Sequence, residues 1–255
     1  SALSEADGAI KYLFPVVHVL VVTLPIFFIM GLTIRKLQFR SPQRAAGLVA
    51  TGMAGGTFFS MLVEVLAIFF VLLIAIFVLI LDPELQAKAL LFSNRIMIAG
   101  DDPEVLMQIF LPALQNPWVI LGILLFVSGL VPLVEEALKP VGFWLLSGRD
   151  WTPRDGFVGG MMSGAGFAFM ESLLASAQVV GEDWLILVIN RIGTAVMHML
   201  ASGIVGWGLA SAWQQRKFGR LVGGYLLAVV LHGIWNSTAI VLGVSQLIST
   251  ENSAW

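Results

Sequence analysis

Seven polar residues in four apolar segments are of the types that carry out hydrolysis. Glu135, Glu136 and Lys139 lie in the apolar stretch LVPLVEEALKPVGFWLL, residues 130–146. Three later apolar segments contain the other four: Glu171, His198, His232 and Asn236. An ionisable side chain in a membrane-spanning helix is costly unless it faces the protein interior and finds partners there. Carboxylates act as general bases towards water, and imidazoles bind metal ions or move protons. These residue types therefore indicate a buried site for hydrolysis or for proton transport.

One interpretation of these residues is a metal-assisted hydrolase. Glu171, His198 and His232 form a two-histidine, one-carboxylate set that suits zinc. A divalent metal, with zinc the preferred ion, is therefore an expected cofactor. Glu135 or Glu136 would then be the general base that activates a water molecule. The alternative is that the same side chains form a hydrolytic site without a metal.

Two further residues can support these side chains through helical spacing. Lys139 follows Glu136 by three residues and Glu135 by four, so it can neutralise or orient a carboxylate on its own helix. Asn236 follows His232 by four residues and shares its helix face, so it can fix the imidazole or donate to an oxyanion. Chains of Glu and His suit ion or proton transport equally well, so a cation- or proton-coupled transporter is a second interpretation.

The composition is that of a membrane protein with several spans. Of the 255 residues, 58% are hydrophobic and 12% are charged, whereas soluble domains contain about 25% charged residues. The sequence contains no cysteine, which excludes disulfides, thiolate metal sites and a cysteine nucleophile. We expect an all-α helical bundle that contacts the lipid bilayer and has no nucleic acid partner. The residues do not define an oligomeric state.

Six apolar runs are long enough to cross a membrane, because a helical span needs ~20 residues. They cover approximately residues 10–34, 47–81, 117–146, 156–180, 184–213 and 222–248. The second run is too long for one simple crossing, and its GMAGG segment (Gly52–Gly56) predicts a kink or a separate interfacial helix. Residues 82–116 are too polar to span and predict a short amphipathic helical cap, an extracytoplasmic insertion between spans two and three. We therefore expect one membrane domain, residues 1–255, with a catalytic core at residues 117–248.

Basic residues are concentrated in the loops that follow spans one, three and five. These loops contain Arg35, Lys36, Arg40, Arg44, Arg149, Arg154, Arg216, Lys217 and Arg220. The loops on the opposite side are mainly acidic, and cytoplasmic loops of membrane proteins carry an excess of Lys and Arg. The basic loops are therefore predicted to lie in the cytoplasm, with both termini extracytoplasmic, in a multi-pass protein of the cell (plasma or inner) membrane.

The polar residues of the last four spans lie at a similar depth. At ~1.5 Å per residue, six of them are ~15–22 Å from the cytoplasmic helix ends: Glu135, Glu136, Glu171, His198, His232 and Asn236. One such residue alone is commonly structural, but a whole layer favours function because leucine would cost less at these positions. Small residues recur at every fourth position of span four from Gly156 to Ser176, which predicts close approach of a neighbouring helix. Glu171 lies beside this ridge and is predicted to point towards that helix.

Motifs of other protease classes are missing from the sequence. There is no HExxH motif, and Ser163 in GMMSG has the wrong spacing for a serine protease motif. IAGDD (residues 98–102) is not the GxGD motif of aspartate intramembrane proteases. His18 is predicted to lie outside the polar layer. The sequence assigns no role to Glu64 or to residues 82–116.

Four motifs in a fixed order carry a family resemblance. EEALK at Glu135–Lys139 is an EExxK motif, and FAFME at Phe167–Glu171 is an FxxxE motif. His198 follows on the next helix, and HGIWN at His232–Asn236 completes the series. This order, with one motif per helix, resembles the PrsW family of membrane-embedded glutamate- or metallo-proteases. That family shares a superfamily with the CAAX prenyl endopeptidases and the bacteriocin-immunity membrane proteins. The resemblance covers Val131–Asn236.

The resemblance implies an enzyme, an endopeptidase that acts on a membrane-anchored protein substrate. PrsW-like proteins often end the last motif in Asp, whereas this chain has Asn236. Asn cannot be a charged ligand or a base, which favours an orienting or oxyanion role. Glu171 stands where the prenyl endopeptidases carry His, which argues against a prenylated substrate. The alternatives are a cation- or proton-coupled transporter and a non-catalytic immunity-type membrane protein.

Overall fold

All regular structure is helical in the part of the chain that the computed structural model describes, residues 9–37, 41–146, 150–176 and 184–252. Six helical stretches are long and apolar enough to cross a membrane: Val16–Lys36, Pro42–Leu81, Pro117–Leu145, Pro153–Ala175, Trp184–Gln215 and Phe218–Ser245. The predicted all-α class and the predicted six spans are confirmed. Arg40 and Arg149 of the predicted basic loops lie outside the described residues, as do both ends of the chain.

The first two spans contain one irregular turn at a glycine cluster. α1 is Ala9–Leu37, and α2 (Pro42–Thr51) continues through a π-helical turn at Gly52–Gly56 into α3 (Thr57–Leu81). The predicted irregularity at GMAGG is therefore a wide turn within one long helix and not a separate interfacial helix. A Cβ atom at Gly52 would collide with the backbone of the fourth span, so glycine permits a close helix approach at this turn.

Residues 82–116 contain two helices, in agreement with the predicted helical patterning. α4 is Pro83–Ala99 and α5 is Pro103–Leu114. Each helix begins with a proline, which has no N–H that would need a partner in the first turn. Oδ1 of Asp82 and Oδ1 of Asp102 each accept a hydrogen bond from a first-turn N–H at 3.0 Å, and such a cap contributes ~1 kcal/mol. The position of this pair on the membrane surface stays a prediction.

The third span is helical but interrupted. Its parts are α6 (Pro117–Leu124), a π-helical segment (Leu125–Leu130), α7 (Val131–Leu138) and α8 (Val141–Leu146). The break falls at Lys139 and Pro140, because proline has no N–H to donate to the carbonyl of Glu136. The hydroxyl of Ser163 donates to the carbonyl of Lys139 at 2.5 Å, which satisfies a backbone acceptor at the break. The sequence pattern predicted one continuous helix, and Pro140 is the physical reason for the difference.

The fourth and fifth spans pack closely against each other. α9 is Pro153–Ser176 and α10 is Trp184–Gln215. A Cβ atom at Gly160 would collide with a backbone carbonyl of α10, and one at Gly164 would lie 2.5 Å from the carbonyl oxygen of His198. Only residues without a side chain permit this separation. The close approach predicted from the small-residue ridge is therefore confirmed.

The helices form two compact units. The first comprises Ser1–Met61 and Pro132–Trp235, and the second comprises Leu62–Val131 and Asn236–Trp255. α11 (Phe218–Asn252) runs from the first unit into the second. The core of the first unit contains fully buried apolar side chains, among them Leu48, Met162 and Leu209. The single domain and the catalytic core at 117–248 stay predictions.

Candidate active site

Two glutamates and a lysine form an ion cluster at the break in span three. Nζ of Lys139 lies 2.6 Å from Oε1 of Glu136 and 2.8 Å from Oε2 of Glu135. Lys139 and Glu136 are 0% exposed, and Glu135 is 8% exposed. Glu135 and Glu136 lie on α7, and Lys139 follows its last residue, so the helical spacing brings all three together. The lysine contacts both carboxylates, whereas the sequence predicted neutralisation of one.

Two buried histidines from α10 and α11 meet this cluster. Nδ1 of His198 lies 2.7 Å from Nζ of Lys139. Nδ1 of His232 lies 2.9 Å from Oε1 of Glu136 and 3.5 Å from the same Nζ. The two imidazole rings are nearly perpendicular, with centroids 4.9 Å apart. Three separate spans therefore contribute side chains to one buried polar cluster.

Glu171 joins the cluster through the opposite nitrogen of His198. Its Oε2 lies 2.7 Å from Nε2 of His198 and 2.8 Å from Nη2 of Arg191. Nε of Arg191 donates to Oγ of Ser172 at 3.2 Å. Glu171 points towards α10, as its place beside the small-residue ridge predicted. Arg191 was not among the predicted site residues. It precedes His198 by seven residues, which is two turns on the same helix face, and this spacing was the available signal for its contact.

The donor and acceptor rules fix the protons on both imidazoles. A carboxylate only accepts and an ammonium only donates, so His198 donates from Nε2 to Glu171 and accepts at Nδ1 from Lys139. Nδ1 of His232 donates to Glu136, its shorter contact, which leaves the lone pair of Nε2 as an acceptor. That nitrogen lies 3.8 Å from Oε2 of Glu135. A separation of this size suits a bridging water better than a direct hydrogen bond.

Aromatic side chains border the cluster and were not among the predicted site residues. The Phe167 ring lies 4.5 Å from Nζ of Lys139, within the range of a cation–π contact. The same ring packs edge-on against His198 at 5.3 Å. Phe167 is the first residue of the FxxxE motif, so the motif itself was the available signal. On α11, Trp235 donates from Nε1 to Oγ1 of Thr194 at 3.0 Å, which ties the end of the first unit to α10.

Comparison with known proteins identifies the family. The family model described as PrsW family intramembrane metalloprotease matches residues 66–250. The match spans most of the chain. The chain belongs to the PrsW family. Searches of curated proteins and of solved structures found no significant match.

Membership in the PrsW family makes this chain an intramembrane protease and a multi-pass membrane protein. The match begins in α3 and includes residues 82–116. It is therefore wider than Val131–Asn236, the range of the four motifs. The family pattern includes the two helices α4 and α5, which carry none of the motifs.

The PrsW family name implies a metal, and the buried cluster offers suitable ligands. Glu135, Glu136, His198 and His232 each provide one ligand atom, and these atoms lie within 4.8 Å of one another. Oε2 of Glu136 is buried without a hydrogen-bond partner among the described residues. Carboxylate oxygen and imidazole nitrogen both suit zinc, so these donors fit a divalent cation. Glu171 is not in this set of converging donors, because its Oε2 lies 2.7 Å from Nε2 of His198. Its predicted role as a metal ligand stays a prediction.

Asn236, the last predicted site residue, makes its described contact outside the cluster. Nδ2 of Asn236 donates to the carbonyl of Val127 at 2.9 Å. An amide nitrogen carries two hydrogens, so this hydrogen bond leaves one hydrogen of Asn236 for another acceptor. The orienting or oxyanion role of Asn236 stays a prediction. His18 accepts a hydrogen bond from Nε1 of Trp184, and Glu64 lies on α3 in the second unit.

Proposed function

We propose that this PrsW-family protease hydrolyses a peptide bond of a membrane-anchored protein with a water molecule that a glutamate activates. The observation that carries the proposal is the convergence of two carboxylates, one ammonium and two imidazoles in one buried cluster. A general base, an acceptor that orients water and a cation that stabilises negative charge are the parts that peptide hydrolysis needs.

We assign Glu135 as the general base. Oε1 of Glu136 already contacts both Lys139 and His232, at 2.6 and 2.9 Å. Glu135 makes one short contact, with Lys139, and faces Nε2 of His232 across 3.8 Å. A water in that gap can donate one hydrogen to His232 and the other to Glu135. Glu136 then has the orienting role, because it holds both His232 and Lys139.

The proposed bond cleavage takes place in two proton steps. Glu135 takes a proton from the water as its oxygen attacks the carbonyl carbon of the scissile peptide bond. The ammonium of Lys139 stabilises the negative charge that develops on the carbonyl oxygen. Glu135 then gives the proton to the amide nitrogen, the C–N bond breaks, and a carboxylic acid and an amine form. The acid gives its remaining proton to the amine, so a carboxylate and an ammonium leave. General base catalysis of this type contributes ~100- to 10,000-fold in rate.

In the metal-assisted form of the mechanism, Glu135, Glu136, His198 and His232 would hold a divalent metal, so Glu135 would be a ligand in that form and the general base in the metal-free form. When bound, the metal would supply a Lewis acid for the carbonyl oxygen and would activate the water. The ligand set predicted from the sequence contains Glu171, His198 and His232, and it does not contain Glu135 or Glu136. The contacts of Glu171 with His198 and Arg191 favour a supporting role instead.

Ion or proton transport is the second candidate function. A transport path would distribute the ionisable side chains along the direction of the spans. Here Glu135, Glu136 and Lys139 lie within one turn and meet both histidines, which favours a single reaction centre. The intact set of ionisable motifs also argues against a non-catalytic immunity-type protein.

We further propose that the protein lies in the cell membrane with both termini outside the cytoplasm. The basic side chains of three loops support this orientation by the positive-inside rule. Those within the described residues are Arg35, Lys36, Arg44, Arg154, Arg216, Lys217 and Arg220.

The test uses the purified protein in liposomes with a library of membrane-anchored protein substrates. We expect cleavage of at least one substrate and no cation or proton flux. Repeating the assay with a chelator and then with added zinc separates the two forms of the mechanism. Cleavage that persists supports glutamate-only hydrolysis, and loss that zinc reverses supports metal assistance. Flux without any cleavage would overturn the proposal.

A further inference from the structure

We propose that Lys139 and a divalent metal compete for one position, so that the lysine ammonium is the resident cation of the metal-free protein. This inference rests on the proposed function only in taking the buried cluster as the site. The inference assigns Lys139 a role beyond pairing with a carboxylate, because the lysine would set the affinity of the site for a metal.

The contacts of Nζ carry this inference. The ammonium nitrogen lies 2.6 Å from Glu136, 2.8 Å from Glu135, 2.7 Å from His198 and 3.5 Å from His232. These four residues are also the set whose donor atoms lie within 4.8 Å of one another. The nitrogen of Lys139 thus contacts one donor atom from each candidate metal ligand.

The charges lead to the same conclusion. Two buried carboxylates need positive charge nearby, because an unpaired charge in the protein interior is strongly destabilising. Within the described residues, Lys139 is the one Lys or Arg that forms an ion pair with Glu135 or Glu136. Arg191 pairs with Glu171 instead. The ammonium therefore supplies the charge that a metal would supply in its place.

Both cations cannot occupy this space together. Zinc binds nitrogen and oxygen ligands at ~2.0–2.2 Å, so it would have to lie between the atoms that now surround Nζ. A zinc ion in that position would be in direct contact with the ammonium of Lys139, and two positive charges in contact repel strongly in a buried site. Metal binding must therefore displace the ammonium from its contacts, and this displacement weakens the affinity of the unmodified chain for the metal.

The experiment compares cobalt(II) binding to the unmodified protein and to Lys139→Met, which removes the charge and keeps an unbranched side chain. Cobalt(II) serves as the probe because its visible absorption reports the ligand geometry. We expect at least ~10-fold tighter binding to Lys139→Met, since no ammonium must be displaced. Adding Glu135→Gln to that variant should weaken binding again. Lys88→Met is the matched control and should bind as the unmodified protein does, because Lys88 is an exposed lysine paired with Glu84.

Equal or weaker cobalt binding to Lys139→Met would overturn the inference. If Lys139→Met does not fold without metal, it is purified with zinc present, and Lys139→Gln is measured in the same way. Zinc should restore the folded state by replacing the lost charge, so failure of both variants to fold with zinc would also overturn it. Substrate cleavage by the unmodified protein is measured separately, so failure of the proposed function and failure of this inference give different results.

Discussion

At the scale of single residues, the cluster is organised around Lys139 and His198. Lys139 contacts both α7 glutamates and His198 within 2.8 Å. His198 uses its other nitrogen to donate to Glu171, whose carboxylate is also held by Arg191. An outer carboxylate of this kind fixes the orientation and the proton position of an imidazole. We therefore propose that Arg191 is a positioning residue, which acts on the site through Glu171.

We expect Arg191→Gln to lower kcat for substrate cleavage ~10- to 100-fold, the usual cost of losing an outer partner of this type. KM should change little, because Arg191 acts on the imidazole and not on substrate. Arg191→Lys should retain part of the activity, since it keeps a positive charge beside Glu171. Arg220→Gln, which removes an arginine over the Trp207 ring, is the control. Unchanged kcat in Arg191→Gln would contradict the positioning role.

The residues that form the buried cluster could be selected from the sequence, but their pairwise contacts could not. The spacing of Glu135, Glu136 and Lys139 determines that they meet, because all three lie on one helical turn. The predicted depth along the spans placed Glu171 and His198 in one layer, and their side chains do meet in the structure. Depth does not specify how each helix is rotated or which nitrogen of an imidazole faces which partner. The sequence pattern therefore could not predict that Glu171 contacts Nε2 of His198, the nitrogen that faces away from Lys139.

At the scale of helices, two local features position the cluster. The break at Pro140 follows α7, which ends at Leu138 directly before Lys139, and the hydroxyl of Ser163 donates to the carbonyl of Lys139. The glycines of α9 bring its backbone against α10 close to His198. The sequence predicted the second feature from the four-residue spacing of small side chains. It did not predict the first, because proline is tolerated inside many membrane helices where neighbouring groups replace the lost hydrogen bond.

We expect Gly160→Ala to destabilise the protein by about 1–3 kcal/mol, a usual cost of overpacking. The added methyl group would collide with a backbone carbonyl of α10, which cannot move as a side chain can. Gly223→Ala on α11 is the matched control, since a Cβ there meets nothing within 4 Å. Thermal unfolding in detergent compares the two variants. Equal melting temperatures would contradict the close packing of α9 and α10.

At the scale of the whole molecule, the PrsW match and the six spans define an intramembrane protease. The match extends into α3 and over α4 and α5, although the motifs begin only on α7. Three of the spans change compact unit along their length, and the catalytic core at 117–248 stays a prediction. The division into units depends on contacts between segments that are distant in the sequence, which hydropathy and charge do not report.

The proposed orientation is testable because the sequence contains no cysteine. Gln43→Cys places one thiol at the start of α2, next to the basic loop that follows span one. Glu84→Cys places one thiol on α4. Both residues are exposed. In intact cells, a membrane-impermeant maleimide should label Glu84→Cys and should label Gln43→Cys only after the membrane is permeabilised. The reverse pattern would contradict the positive-inside assignment.

The measurement that tests the central claim most directly compares three glutamine variants in the liposome cleavage assay. Glu135→Gln should reduce the single-turnover rate by at least ~100-fold, since it removes the general base and keeps the shape of the side chain. Glu136→Gln should also lower the rate, because it releases both His232 and Lys139. Glu84→Gln, an exposed position on α4, should match the unmodified protein. Cleavage by Glu135→Gln at the unmodified rate would contradict glutamate-activated hydrolysis at this cluster.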